Sequence, residues 1–208
     1  NWESSKYILG SSIIESLYQS SLNFSVGKIV SLSQLGVFSQ AKKLQETPFN
    51  VLSTVVRRVT VPSQIDVSED ENKLSNNYLA LLKKSSTIFL LIAAALFISA
   101  EVLINFIFGE KWIHAVPYFR ILIWGGVANS LFFQVLDVYK IRDKNAMYFK
   151  LNAISKLVLF CLFIIAVNFD LVLASYAISI ASVMLLLVSL YYISKELKTK
   201  YKKILFPV

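Results

Sequence analysis

Charge is what this sequence has least of. Only 16% of its 208 residues are Asp, Glu, Lys or Arg, against 56% apolar ones, whereas an ordinary soluble domain carries about a quarter charged residues. Folded in water, such a chain would leave far more apolar surface than one modest core can hide. Its mean hydropathy of +0.60 agrees. The apolar residues come in blocks of roughly twenty, the length that crosses a hydrocarbon layer about 30 Å thick. A soluble globular domain is excluded.

Cysteine is represented by Cys161 alone, inside an apolar block. No disulfide framework is available, and the residue reads as a small core or lipid-facing side chain. The single histidine, His114, sits in a short loop after Trp112, without the companions that metal binding or acid–base chemistry needs. Neither a cofactor nor a metal site is expected. The chain starts at Asn1, shows no basic segment leading to a cleavage site, and stops at Leu205-Phe206-Pro207-Val208, where a new apolar stretch starts. Both ends read as cut, which suggests an internal or C-terminal piece of a longer protein.

What the chain does have is a series of spans. Clear ones cover residues 85–108, 118–139, 148–169 and 171–194, and two more polar ones precede them at 7–31 and 37–61. The expected fold class is all-α, a polytopic membrane bundle of about six transmembrane helices. Its organisation divides into a helix hairpin (1–62), a loop with an amphipathic segment at 73–84 (63–84), a four-helix scaffold (85–194) and a basic tail (195–208).

Basic residues set the expected orientation. Alternating spans put Lys6, Arg57, Arg58, Lys73, Lys83 and Lys84 on one side, together with the clusters from Lys140 to Lys150 and from Lys195 to Lys203. Lys28, Lys42, Lys43 and Lys111 fall on the other side, with Arg120 nearby. By the excess of Lys and Arg in cytoplasmic loops, the first side is cytoplasmic and the protein a multi-pass plasma-membrane one. The net charge of +8 is accounted for by loops lying against anionic lipid headgroups. Nucleic acid is not needed to explain it and is not an expected partner.

Two polar rows carry the functional signal. With successive helical residues 100° apart, Ser5, Ser12, Glu15, Ser16, Gln19, Ser20, Asn23 and Gly27 share one arc of the first helix. In the second, Ser39, Lys43, Glu46, Asn50, Ser53 and Arg57 step by four and three along a single seam, opposite Leu44, Val51, Leu52, Val55 and Val59. Such rows cannot face lipid, because a charge at mid-bilayer costs at least about 2.5–3.5 kcal/mol. Two arrangements satisfy this constraint. One is an interhelical hydrogen-bond seam, with Glu15 neutral and Lys43 paired to Glu46 one turn on. The other is a water-filled cavity for a polar substrate, favoured because two adjacent helices carry rows several turns long. Pro48 frees the carbonyl of Leu44 and predicts a kink.

The later helices have no comparable row. The third, fifth and sixth read as scaffold. In the fourth, Gly125-Gly126 allows close helix contact, Asn129 and Gln134 can reach inward, and Arg120 and Asp137 near its ends are expected to snorkel outward.

The stretch from Gly27-Lys28 through Leu35-Gly36-Val37-Phe38-Ser39-Gln40-Ala41-Lys42-Lys43-Leu44 resembles a segment of bacterial polysaccharide exporters. So do Pro48-Phe49-Asn50, Val59-Thr60-Val61-Pro62, and Phe108-Gly109-Glu110-Lys111-Trp112 with Ala115-Val116-Pro117 and Ile121-Leu122. Together they resemble the lipopolysaccharide, O-antigen and teichuronic acid type flippases of the multidrug/oligosaccharidyl-lipid/polysaccharide exporter superfamily. The resemblance implies two pseudo-symmetric lobes around a central cavity, of which this chain is the C-terminal one, so that the N-terminal lobe is an expected partner. It also implies a non-enzymatic function, the flipping of a polyprenyl-diphosphate-linked oligosaccharide by alternating access. The first two helices of each lobe line the family's cavity. Many members have an acid where this chain has Leu22, which puts any coupling role of that acid in doubt here.

On this reading the substrate cavity involves Glu15, Gln19, Asn23, Lys43, Glu46, Asn50 and Arg57. Lys43 and Arg57 would meet the diphosphate, which needs positive charge in a low-dielectric cavity. The others would bind sugar hydroxyls, or exchange protons or sodium if transport is ion-coupled. Two alternatives remain open. A multidrug or lipid II exporter of the same superfamily would show itself by a drug-resistance phenotype. A membrane enzyme acting on lipid-linked sugars would need a clustered site on a loop, where only Glu110, Lys111 and His114 are available.

Overall fold

The computed structural model describes residues 2–65 and 71–196. They form seven α-helices and one short 3-10 helix: α1 Trp2–Ile29, α2 Leu32–Ile65, α3 Glu71–Ile98, α4 Ala100–Phe108, the 3-10 helix Glu110–Ala115, α5 Val116–Ile141, α6 Asn145–Val167 and α7 Leu171–Glu196. There is no strand among the described residues. This is an all-α membrane helix bundle, the architecture that satisfies every backbone group inside its own segment where no water can do so.

Four stretches are long and apolar enough to cross a membrane by themselves: Ser75–Ile98, Glu110–Ile141, Asn145–Val167 and Leu171–Lys195. Helices α1 and α2, at 28 and 34 residues, have the length but carry too many polar residues to qualify on composition. Many of those hydroxyls need no distant partner. Ser11, Ser16 and Ser25 donate to the carbonyls of Tyr7, Ser12 and Ser21 one turn back, which keeps a serine satisfied away from water.

Several boundaries differ from those read in the sequence. Residues 73–84 form no separate surface helix; they are the first half of α3, which continues into the membrane stretch. The third span is broken at Ser99, whose hydroxyl turns back to the Ala95 carbonyl (2.6 Å), and resumes as α4. Helix α2 runs uninterrupted through Pro48 and past Pro62 to Ile65. Of the basic tail, residues 197–208 lie outside the described residues.

Helix α5 is the central element and packs against α2, α3, α6 and α7. It supplies Leu122 to a core with Leu22, Phe38 and Phe163, Ile123 to one with Phe49, Phe89 and Phe119, and Leu136 to one with Tyr78, Tyr148 and Ile193. Its two glycines permit this. A Cβ on Gly125 would lie 3.0 Å from the Ser179 Cα on α7, and one on Gly126 would collide with the Gln45 amide on α2. Small residues that let backbones approach are the usual device of helix packing in lipid.

Two of the motifs meet in space. Gly109 ends α4 at φ +87°, a left-handed conformation that glycine adopts without Cβ strain. The Trp112 N–H donates to its carbonyl at 3.0 Å. The turn lays the Trp112 ring against Phe108 and within 3.8 Å of where a Cβ of Gly36 would sit. The Gly-Glu-Lys-Trp segment therefore anchors the start of α2.

Candidate functional site

Helices α1 and α2 do not pack mainly on each other. Most of α1 rests on α6 and most of α2 on α5, and a polar groove of about 840 Å³ opens between the four. From α1 it is lined by Ser11, Ser12, Glu15, Ser16 and Gln19. The α2 wall is Glu46, Asn50, Ser53, Thr54 and Arg57; α5 adds Asn129, Ser130, Phe133 and Lys140, and α6 adds Tyr148 and Asn152. A small space of about 60 Å³ adjoins its inner end, where Tyr18, Lys42, Gln45 and Lys156 join the lining.

Each of α1 and α2 therefore shows a third face. Leu9, Ile13, Leu17 and Phe24 on α1, and Val51, Val55 and Val59 on α2, are exposed apolar rows. The row on α1 lies beside the polar one and that on α2 opposite it, and both suit contact with lipid or with another apolar surface.

At the inner end, four charges cancel. The Lys156 ammonium is 2.9 Å from Glu15 Oε2 and donates to Oε1 at 3.2 Å. Gln19 Nε2 donates to Glu15 Oε1 (3.2 Å) and to Glu46 Oε1 (3.4 Å), while its carbonyl accepts from the Lys42 ammonium. Lys42 is in turn 3.4 Å from Glu46 Oε1. Both lysines are buried and both glutamates half-exposed to the groove. The Tyr18 ring lies 4.9 Å from the Lys156 ammonium and 6.0 Å from that of Lys42, adding the attraction of a ring face for a desolvated cation. Two lysines and two glutamates bridged by one amide make a network with no net charge, which is how ionised groups persist away from water.

A second cluster closes the other end. The Arg57 guanidinium is bidentate on Asp137, donating through Nε and Nη2. Lys140 stands 3.9 Å from the same carboxylate, and its ammonium lies 3.9 Å from the Tyr148 ring centre. Two cations face one carboxylate here, so this end of the groove is net positive. Between the clusters lies Asn152, which is buried and whose Oδ1 has no partner.

Of the residues singled out in the sequence, Glu15, Gln19, Glu46, Asn50 and Arg57 are brought to one groove. Asn23 is on α1, but its side chain lies outside the described residues. Lys43 is placed differently. It is exposed and does not line the groove, and Lys42 is the lysine that pairs with Glu46. Lys42 and Glu46, four apart, both turn toward α5 and α1, while Lys43 shares the angular position of Asn50 and Thr54 but precedes Glu46, the first α2 residue of the lining. Asp137 likewise does not snorkel but is held inside by Arg57; Arg120 reaches out to Glu101 at 3.1 Å.

Lys156, Asn152 and Tyr148 were not among the candidates, because α6 reads as apolar scaffold, and Lys140, at the end of α5, reads as part of a basic loop cluster. A signal existed: Tyr148, Asn152 and Lys156 recur every fourth residue, with buried Ser155 beside them. Among the described residues, no group of three His, Cys, Asp or Glu is placed to hold a metal.

Fold and site together define a multi-pass all-α membrane protein with a polar groove between its helices. Residues 3–117, more than half of the chain, match the family model described as "Polysaccharide biosynthesis protein", and the chain belongs to that family. Among curated relatives, it is 26% identical over 129 residues to an "Uncharacterized membrane protein in cps region" of Klebsiella pneumoniae, covering 60% of this chain and 27% of that protein. It is 23% identical over 106 residues to the "Teichuronic acid biosynthesis protein TuaB" of Bacillus subtilis (strain 168), covering 51% of this chain and 22% of that one. The chain thus spans about a quarter of the length of the curated relatives it matches. No solved structure matches it.

Proposed function

We propose that this chain is one lobe of a non-enzymatic flippase, which moves a polyprenyl-diphosphate-linked oligosaccharide across the bacterial plasma membrane during polysaccharide biosynthesis. The observation that carries this reading is the groove: about 840 Å³ of polar lining inside a bundle that is otherwise apolar, in a member of a polysaccharide biosynthesis family. A polar groove in a membrane protein must face protein, water or a polar cargo rather than lipid, and one of this volume leaves room for a cargo. The facing wall would come from the N-terminal lobe. The basic ends of the helices, including Arg57, Lys140 and Lys195, would lie on the cytoplasmic side.

In this reading Arg57 and Lys140 meet the diphosphate, since their cluster has one cation more than it has anions. Arginine suits that task through its planar fork of donors. Lys43 is replaced in this role by Lys140. Gln19, Asn50 and Asn129 supply donors and acceptors for sugar hydroxyls. Glu15 and Glu46, each beside a lysine, are the groups through which a proton or sodium gradient would act.

The test is a translocation assay on the full-length protein in liposomes, with a fluorescent lipid-linked oligosaccharide. Arg57→Ala and Lys140→Ala should each slow transport at least about tenfold, the loss of roughly one charge-assisted contact. Wild-type rates in both variants would remove these residues from the mechanism, and no translocation by the wild-type protein would remove the function.

A further inference from the structure

Helices α5 and α6 present their polar groove on one side only. On the other side of the same two helix ends lies a separate hollow of about 630 Å³, lined by Tyr139 from the end of α5, Lys144, Ala146 and Met147 around the start of α6, and Tyr192 and Lys195 from the end of α7. We infer that this hollow is a binding site for the phosphodiester headgroup of an anionic membrane phospholipid, with Lys144 and Lys195 on the phosphate and the lipid's upper chain against Met147 and Tyr192.

Position is the first argument. Lys195 ends the apolar stretch that begins at Leu171, so the hollow sits where a hydrocarbon layer gives way to headgroups. Tyr192 is half exposed there beside Tyr191, the placement amphipathic rings favour at a membrane boundary. The second argument is charge. Among the described side chains, two lysines line the hollow and no acidic residue does.

Backbone geometry adds a third. Asp143 at φ +55° turns the chain sharply into α6, so that Lys144 and the first helical residues, Ala146 and Met147, border the hollow together. The Met147 amide already donates to the Lys144 carbonyl at 3.0 Å, which leaves the anion contacts to the lysine side chains. Basic pockets between helix ends are where anionic headgroups are held. The lining is also mixed in the right order, with cations and a tyrosine at the rim and buried Tyr139 with half-buried Met147 beneath. A free inorganic anion would have no use for the apolar part. The site does not depend on what the groove carries, since Tyr139 and Met147 face this hollow whereas their neighbours Lys140 and Tyr148 face the groove.

Native mass spectrometry of the detergent-purified full-length protein, titrated with phosphatidylglycerol or phosphatidylcholine, tests the site. Phosphatidylglycerol should bind about tenfold tighter, and the K144Q/K195Q double variant should lose that preference. K144R/K195R should retain it, and K150Q, an exposed lysine outside the hollow, should leave it unchanged. Equal binding of the two lipids by the wild type would overturn the proposal. So would an equal loss in K150Q, which would mean diffuse surface charge, or displacement by millimolar inorganic phosphate, which would mean a plain anion site.

Discussion

Lys156 on α6 and Glu15 on α1 are 141 residues apart in the chain, and their charged atoms are 2.9 Å apart in the fold. The pair joins a helix that reads as apolar scaffold to one that carries a polar row. It is also lopsided: the lysine side chain is 5% exposed and the glutamate 36%. Removing one partner therefore has different consequences at the two positions.

Glu15→Gln leaves a buried ammonium without its counter-charge, whereas Lys156→Met removes the buried charge and leaves a carboxylate in the groove, still bonded by Gln19. The glutamine variant should lose on the order of 2 kcal/mol and the methionine variant less than about 1. Thermal unfolding in detergent gives the ranking. If Lys156→Met proves the more damaging, the lysine is not buried as described.

Asp137 balances both Arg57 and Lys140. Asp137→Asn should cost about 3 kcal/mol, because it leaves two neighbouring cations unbalanced. Arg57→Lys should cost less, about 1 kcal/mol, through loss of one arm of the bidentate contact. Combining Asp137→Asn with Arg57→Gln should recover part of the first loss. A double variant no more stable than Asp137→Asn alone would show that the two side chains do not act as a pair.

The two central glycines should respond differently to alanine. At Gly125 the added methyl meets the Ser179 backbone, which cannot step aside, so the expected cost is about 2–3 kcal/mol and truncating Ser179 gives little relief. At Gly126 the first obstacle is the end of the Gln45 side chain. Gly126→Ala should therefore be rescued in part by Gln45→Ala. Urea or heat denaturation of the four variants separates these outcomes.

Neighbouring lysines on α2 offer a direct check of the rotation of that helix. In a Cys161→Ser background, needed because Cys161 is free and exposed, Lys43→Cys should react readily with a hydrophilic maleimide. Lys42→Cys should react at least about tenfold more slowly, since that position is buried and a hydrophilic reagent reaches it poorly. Val55→Cys, exposed on the valine row, should also be slow if that row faces lipid. Equal labelling at 42 and 43 would contradict the assignment of Lys42 to the charge network.

Much of the fold was legible because lipid imposes rules that act locally. A block of about twenty apolar residues must become a helix whatever surrounds it, and α5, α6 and α7 follow from that alone. The polar rows of α1 and α2 were legible for a related reason: a face that lipid rejects recurs at the helical period. Glu15, Gln19, Glu46, Asn50 and Arg57 were found by that periodicity, and all line the groove. The break at Ser99 and the merging of 73–84 into α3 were less readable, since neither changes the composition of the segment.

By itself, then, the sequence determined the solvent, the helices and the two faces that must avoid lipid, all properties of a segment and its immediate surroundings. Only the tertiary structure decided which charge meets which. A lysine in an apolar helix looks the same in sequence whether it snorkels to a headgroup or turns inward, so Lys156 could not be assigned until α1 lay beside α6. That Lys42 rather than Lys43 joins Glu46 depends on the face that α2 turns to α5, where Gly126 stands against Gln45 and Phe49. Pairing across helices depends on distances that no periodicity encodes, and in this protein it placed both charge clusters of the groove.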